Sequence, residues 1–365
     1  MGFNCGIIGL PNVGKSTIFN AMTAAGIAAE NYPFCTIEPN VGIVPVPDAR
    51  LDKLAALYNT QKIIPTTIEF VDIAGLVKGA SNGEGLGNQF LGHIREVDAV
   101  VHVVRCFEDT NVVHVDGSID PKRDIEVVET ELIIKDLDTL QRKMKETEGR
   151  ARSGEKKIKE EYDVYVRLSE HLSSGRLAKY MTYEDELHRG YVRSLHLLTD
   201  KPVMYIANVD EGSVQTGNKH VDAVRQIASR EGARVVVVSG KIEAELSQLT
   251  PDERAAFLSD LGLKEAGLER VIREGYSLLN LITFFTAGPK EVHAWTVESN
   301  TCAPRASGKI HSDFEKGFIR MEVIKYEDLI RLGSEQVVRD AGLLHVEGRD
   351  YIVQDGDIVL VRFSV

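Results

Sequence analysis

The sequence predicts an α/β fold built on a mostly parallel sheet. Two observations carry that expectation. Short apolar runs recur between residues 3 and 238 with helical patterns between most of them, and the first run leads straight into a glycine-rich turn that opens a helix. The runs are Phe3 to Leu10, Thr67 to Ile73, Ala99 to Val104, Pro202 to Ala207 and Arg234 to Val238. In sheets of this kind, ligands sit beyond the carboxyl ends of the strands.

Between the third and fourth runs the pattern changes. Residues near 122 to 198 are rich in charge, and Ile133, Leu137, Leu140 and Met144 recur at helical steps of three and four. Gly149 to Gly154 interrupts the pattern, and Ile158, Tyr162, Tyr165 and Leu172 resume it. This reads as a helical hairpin inserted into the sheet domain; two ordinary surface helices are the alternative. The last ~85 residues form a small α+β unit, by the usual size of domains. There Tyr351-Ile352-Val353 and Ile358 to Phe363 flank Asp355-Gly356, which predicts a β-hairpin. Trp295 and Phe318 are expected in its core rather than on a nucleic-acid surface.

The 365 residues suggest two or three domains, and 43% hydrophobic residues are ample for a core. A net charge of −12 argues against a uniformly nucleic-acid-binding surface, so any RNA contact needs a local basic patch. Cys5, Cys35, Cys106 and Cys302 form no C-x-x-C pair and read as reduced thiols rather than a disulfide framework or zinc site. No apolar run approaches the ~18 residues of a membrane helix, and the short first run does not read as a signal peptide. A cytoplasmic protein without a membrane partner is expected.

Gly9-Leu10-Pro11-Asn12-Val13-Gly14-Lys15-Ser16 fits G-x-x-x-x-G-K-[ST] without a mismatch, between a strand pattern and a helix pattern. Glycines let the backbone wrap so that successive N–H groups face phosphate oxygens, and the helix end adds its dipole. Lys15 then reaches the outer phosphates, and the Ser16 hydroxyl ligates Mg²⁺. Asp72-Ile73-Ala74-Gly75 follows the second run; Asp72 can hold the metal, and the Gly75 N–H can approach the γ-phosphate. Thr36 is either a further metal ligand or an ordinary loop threonine.

Asn208-Val209-Asp210-Glu211 follows the fourth run, where GTPases carry N-K-x-D. In that motif the Asp accepts two hydrogen bonds from guanine. Here Glu211 stands at the Asp position and Val209 at the Lys position. Adenine offers an acceptor at N1 and no 2-amino group, so losing the Asp removes the main reason to reject ATP. Asn208 can still offer its amide to the adenine N6/N7 edge. The alternative is that Asp210 slips by one place and restores guanine reading. Val238-Ser239-Gly240-Lys241 closes the fifth run, where Ser239 can cover the base with backbone groups.

Taken together, the segments G-L-P-N-V-G-K-S-T, N-Y-P-F-C-T, D-I-A-G-L-V-K-G-A, G-E-G-L-G-N-Q-F-L, N-V-D-E and F-F-T-A-G-P-K-E-V-H-A-W-T resemble the YchF or Obg-like ATPase family of Obg-related P-loop proteins. The resemblance runs from residue 2 to the end. It implies a P-loop nucleotide-binding domain at 1–121 and 199–280, an inserted helical coiled-coil domain at 122–198, and a C-terminal TGS domain of ubiquitin-like β-grasp type at 281–365. It implies ATP hydrolysis in preference to GTP, with Mg²⁺, and association with ribosomes. By position, Asn12, Val13, Gly14, Lys15, Ser16 and Thr17 resemble the phosphate binders. Ser16 and Thr36 resemble the metal ligands, and Asn208 to Glu211 the base-facing segment.

Where Ras-type switches carry a water-orienting Gln after D-x-x-G, this chain has Leu76. Another group must orient the water, or intrinsic turnover is very slow. His114 is a candidate catalytic group, set against the plain reading of a loop histidine. Gly79, Gly83, Gly85 and Gly87 read as a switch or as a flexible loop. Residues 142 to 167 hold nine Lys or Arg against six Asp or Glu, a basic arm that either meets rRNA phosphates or is simply solvated. A metabolic P-loop kinase and a nucleotide-gated ribosome-docking module with negligible hydrolysis are the competing functional readings.

Overall fold

The computed structural model describes residues 3–26, 40–73, 92–109, 112, 117–151 and 155–364. They form two compact units, Met1–Ile43 with Glu69–Val271, and Val44–Ile68 with Ile272–Val365.

The first unit is built on a six-stranded sheet of β1 (Asn4–Ile8), β2 (Val41–Pro45), β4 (Thr67–Asp72), β5 (Ala99–Arg105), β6 (Val203–Asn208) and β7 (Arg234–Val238). Their order is β2–β4–β1–β5–β6–β7, and β1–β4, β1–β5, β5–β6 and β6–β7 all pair parallel. Every residue of β5 is buried, which is why it reads as a mainly apolar run. The exception in its middle, His102, is pushed down to about 4 by burial, so it sits there neutral. The five apolar runs are all strands. The short β2, with glycine inside it and proline at its end, was not foreseen.

The principal helices are α1 (Lys15–Gly26), α2 (Ala49–Tyr58, in the second unit), α3 (Pro121–Ala151), α4 (Lys156–Ser173), α5 (Glu186–Arg193), α6 (Lys219–Glu231) and α7 (Gly240–Leu246). α3, α4 and α5 lie between β5 and β6. The 31 residues of α3 span about 47 Å. Ile133 and Leu140 of α3 share an apolar core with Val164, Tyr165, Leu168 and Leu172 of α4. Asp136 anchors α3: its carboxylate accepts from the Leu198 and Thr199 amides, both at 2.8 Å, and from the Thr199 hydroxyl at 2.7 Å. Burial outweighs those bonds and raises Asp136 to about 6.

A second joint ties the helical segment to the sheet. The Glu231 carboxylate accepts from Lys179 at 3.1 Å and from the Tyr205 hydroxyl at 2.9 Å. Glu129 of α3 is raised to about 8, first by burial and then by the neighbouring Glu231.

The second unit carries a mixed sheet in the order β11–β10–β12–β8–β9–β3. Its strands are β3 (Ile63–Ile64), β8 (Leu281–Ala287), β9 (Val292–Glu298), β10 (Phe318–Lys325), β11 (His345–Glu347) and β12 (Asp357–Phe363). Helix Ala303–Ile310 packs through Ala303 and Ala306 against Phe284, Val297, Phe318 and Val359. Phe318 is thus core, and Trp295 stacks on His293 while its indole N–H donates to Thr286 at 2.9 Å.

Two expectations differ from the structure here. Residues 44–68 were set within the nucleotide-binding domain. They group instead with the C-terminal unit, because Leu51 and Leu54 of α2 pack on Phe285 and Val292, and Ile63 pairs with Val292. The expected hairpin about Asp355-Gly356 is not formed: β12 pairs with β10 and β8, and Ile352 bridges to Cys302. The turn itself is real, with Gly356 at φ +86°. Its carboxylates serve other partners, since Asp355 accepts from the Thr283 amide at 2.9 Å and Asp357 from the Gln354 amide at 2.8 Å.

Candidate functional site

The site lies at the carboxyl edge of the parallel sheet. β1 ends at Ile8, and the chain turns through Gly9 to Gly14 before α1 starts at Lys15. A side chain at Gly9 would press within 2.6 Å of the Val103 carbonyl, and Gly14 sits at φ +91°, where glycine is favoured. Asn12 also takes a left-handed conformation, at φ 62°, which asparagine tolerates better than most residues. The Ile18 amide donates to the Gly14 carbonyl at 3.0 Å and closes the first helical turn.

This loop frames a cavity of about 590 Å³ lined by Asn12, Gly14, Lys15, Ser16, Thr17 and Asp72 among others. Lys15 is buried, and its ammonium pairs with the Asp72 carboxylate from the end of β4. The register of β1 against β4 brings Ile7 opposite Asp72, which sets these residues side by side. Val13 is buried and offers only its backbone. Ser16 and Asp72 face the same cavity with oxygen donors, a set suited to a hard cation such as Mg²⁺ that keeps most of its ligands as water or phosphate.

A second cavity of about 750 Å³ adjoins it and shares Asn12, Gly14 and Thr17. Asn208 stands between the two. Its amide nitrogen donates to the Val13 carbonyl at 2.8 Å, and its amide oxygen accepts from the Gly240 N–H at 2.9 Å. One side chain therefore braces the phosphate loop against the turn after β7. Its nitrogen carries a second proton, which leaves one donor for a purine ring nitrogen.

Val209 turns its side chain into the core and donates its amide to the Val238 carbonyl at 2.9 Å. Asp210 accepts the Ser213 hydroxyl at 3.0 Å within its own turn. Glu211 stands at the rim of the cavity and pairs with Lys241 at 2.5 Å; that bond raises the lysine above its ordinary range. Ser239 is 1% exposed, lines the cavity, and its hydroxyl has no hydrogen-bond partner among the described residues.

The structure therefore brings together Asn12 through Thr17, Asp72, Asn208, Val209, Glu211 and Ser239. Thr36, Gly75 and His114 lie outside the described residues, as do Leu76 and the glycines from Gly79 to Gly87. Sequence reasoning missed one wall of the second cavity, formed by Phe107, Glu108, Asp109 and Val112 after β5. It also missed Lys241 as the partner of Glu211. An arginine ending an otherwise apolar run, Arg105, was the available sign that this loop is organised from within.

A glycine-rich phosphate cradle at the edge of a parallel sheet, opening on a second, larger cavity, defines a P-loop nucleotide hydrolase. Residues 4–152 match the family described as 50S ribosome-binding GTPase, and residues 281–364 match the YchF-GTPase C-terminal family, described as a protein of unknown function. The chain is 56% identical over 366 residues to the ribosome-binding ATPase YchF of Haemophilus ducreyi, with 100% of each chain covered. It is 53% identical over 365 residues to that of Escherichia coli O157:H7 and 49% over 367 residues to that of Bacillus subtilis, again with 100% of each chain covered. The structure of the Schizosaccharomyces pombe YchF GTPase matches with a TM-score of 0.90 at 35% identity, covering 99% of this chain and 98% of that one. The chain belongs to the YchF family.

Proposed function

We propose that the protein binds and hydrolyses ATP in preference to GTP, with Mg²⁺, as a ribosome-associated nucleotide-dependent switch. The observation that carries the base preference is Glu211 at the rim of the base cavity, paired with Lys241 at 2.5 Å. A carboxylate so engaged is a poor acceptor for the two guanine donors, and adenine brings neither of them. The remaining Asn208 N–H suits purine N7, which both bases share. The curated relatives named ribosome-binding ATPases support both the substrate and the partner.

In this reading Lys15 and the amides of Asn12 to Thr17 bind the phosphates. Ser16 and Asp72 would hold the metal, with Thr36 as a further ligand, and Mg²⁺ there would supply positive charge to offset that of the phosphates. The Gly75 amide meets the γ-phosphate and His114 orients the water. The basic arm, residues 142 to 167, meets rRNA phosphates.

The test measures ATP and GTP affinity and phosphate release, with and without ribosomes, for the wild type, Glu211→Asp and His114→Ala. The wild type should favour ATP, Glu211→Asp should move the ratio toward GTP by roughly tenfold, worth about 1.4 kcal/mol, and His114→Ala should slow single-turnover hydrolysis. Tight GTP and negligible ATP binding by the wild type would sink the base assignment. Leu76 favours a second reading, a nucleotide-gated docking module with negligible hydrolysis; ribosome binding without phosphate release in the same assay would select it.

A further inference from the structure

Arg105 ends β5 and is 2% exposed, yet among the described residues its guanidinium hydrogen-bonds to no carboxylate. Its three nitrogens donate instead to three backbone carbonyls of one loop. Nε donates to Phe107 at 3.2 Å, Nη2 to Asp109 at 3.3 Å and Nη1 to Val112 at 3.0 Å. The guanidinium also lies over the Phe107 ring, 4.6 Å from its centre. Phe107, Glu108, Asp109 and Val112 are the wall of the base cavity facing the Asn208 to Gly212 segment. The loop is rooted in the same strand pair: the Arg105 backbone lies opposite Asn208, the Cys106 amide donates to the Asn208 carbonyl at 2.7 Å, and the Asn218 side chain donates to the Cys106 carbonyl at 2.7 Å.

A loop that turns away from a strand end leaves carbonyls that need donors, and few single side chains meet three at once. Arginine does so because its N–H groups fan out in one plane. Placing that plane behind the wall, away from the cavity, shapes the surface a base meets without touching the base.

We propose that Arg105 is a positioning residue for the purine: it preorganises the wall formed by Phe107, Glu108, Asp109 and Val112 and so supplies affinity for the base end of the nucleotide and none for the phosphate end. This rests on the nucleotide reading above and goes beyond it by naming what sets the second wall. The contribution is independent of which purine is bound, because the wall carries no group assigned to a base edge. It differs in that respect from Glu211.

Arg105→Lys keeps the charge and reaches one carbonyl, or two, but cannot span three; Arg105→Gln is the second variant. Calorimetry compares ADP, GDP and inorganic tripolyphosphate on each protein. Wild-type affinity for ADP against tripolyphosphate is measured first, and a wild type that binds both alike would count against the base pocket itself. With that pocket in place, the expected result is that both variants lose at least tenfold affinity for ADP and a like factor for GDP. They should hold tripolyphosphate within about twofold, at ~1.4 kcal/mol per tenfold. Equal loss for nucleotide and tripolyphosphate, no loss for either, or failure of both variants to fold gives Arg105 a general structural role and overturns the proposal.

Discussion

At position 208 a single amide meets both a carbonyl on the phosphate loop and an N–H at the head of α7. No shorter or one-sided group does both. Asn208→Ala leaves the Val13 carbonyl and the Gly240 amide without their partner in a buried place, at a cost of ~1–3 kcal/mol for each unsatisfied group. The expected outcome is a melting temperature lower by several degrees together with weaker nucleotide binding. Thermal unfolding without nucleotide separates the two effects, and an unchanged melting temperature would refute the brace. The same residue shows how far the sequence could be read. N-V-D-E pointed to a segment that lines the second cavity, with Asn208 expected at a base edge alone. That it also holds the phosphate loop depends on a residue 195 positions away in the chain, which no local pattern records.

Among elements, the strands were legible because β1 and β5 are buried on both faces and leave an unmixed apolar signature. What a sequence does not display is pairing. Asp355-Gly356 marked a turn correctly, yet β12 left it to join β10 and β8, a choice made by distant partners. The joint between α3 and α6 carries a prediction at this scale. Glu129 rises from 4.5 to about 8, driven by burial and by Glu231, with Lys179 pulling the other way. A carboxyl whose pKa is higher in the folded chain holds more protons there than in the unfolded chain. Its contribution to stability is therefore complete below about pH 4.5 and is lost as pH rises through about 8. Glu129→Gln removes that titration. Urea midpoints of the wild type should fall between about pH 6 and pH 8.5, and those of the variant should fall less. Parallel profiles for the two proteins would exclude Glu129 as the source.

For the whole molecule, charge is the deciding quantity. A chain of net charge −12 is repelled by nucleic acid unless it presents a local exception, and residues 142 to 167 are one, with an excess of three positive charges. Residues 142 to 151 lie on α3 and residues 156 to 167 on α4. If this arm meets rRNA, ribosome affinity should fall steeply with salt, and replacing Lys143, Lys145 and Lys157 by Ala should reduce the slope of log K against log salt by about three units at most. A salt response identical to the wild type would move the contact elsewhere on the protein. Among the described residues no helix is long and apolar enough to cross a membrane.

The division of labour around Asn208 also bears on how such a pocket changes over evolutionary time. Glu211 and Lys241 are exposed and pair with each other at the cavity rim, whereas Asn208 is buried and built into the frame. If the proposed base reading holds, taste for one purine or the other rests on parts that can be exchanged singly, while the grip on the phosphates is inherited intact. A descendant chain could then drift between nucleotides by rim substitutions alone, without first dismantling the machine that holds them.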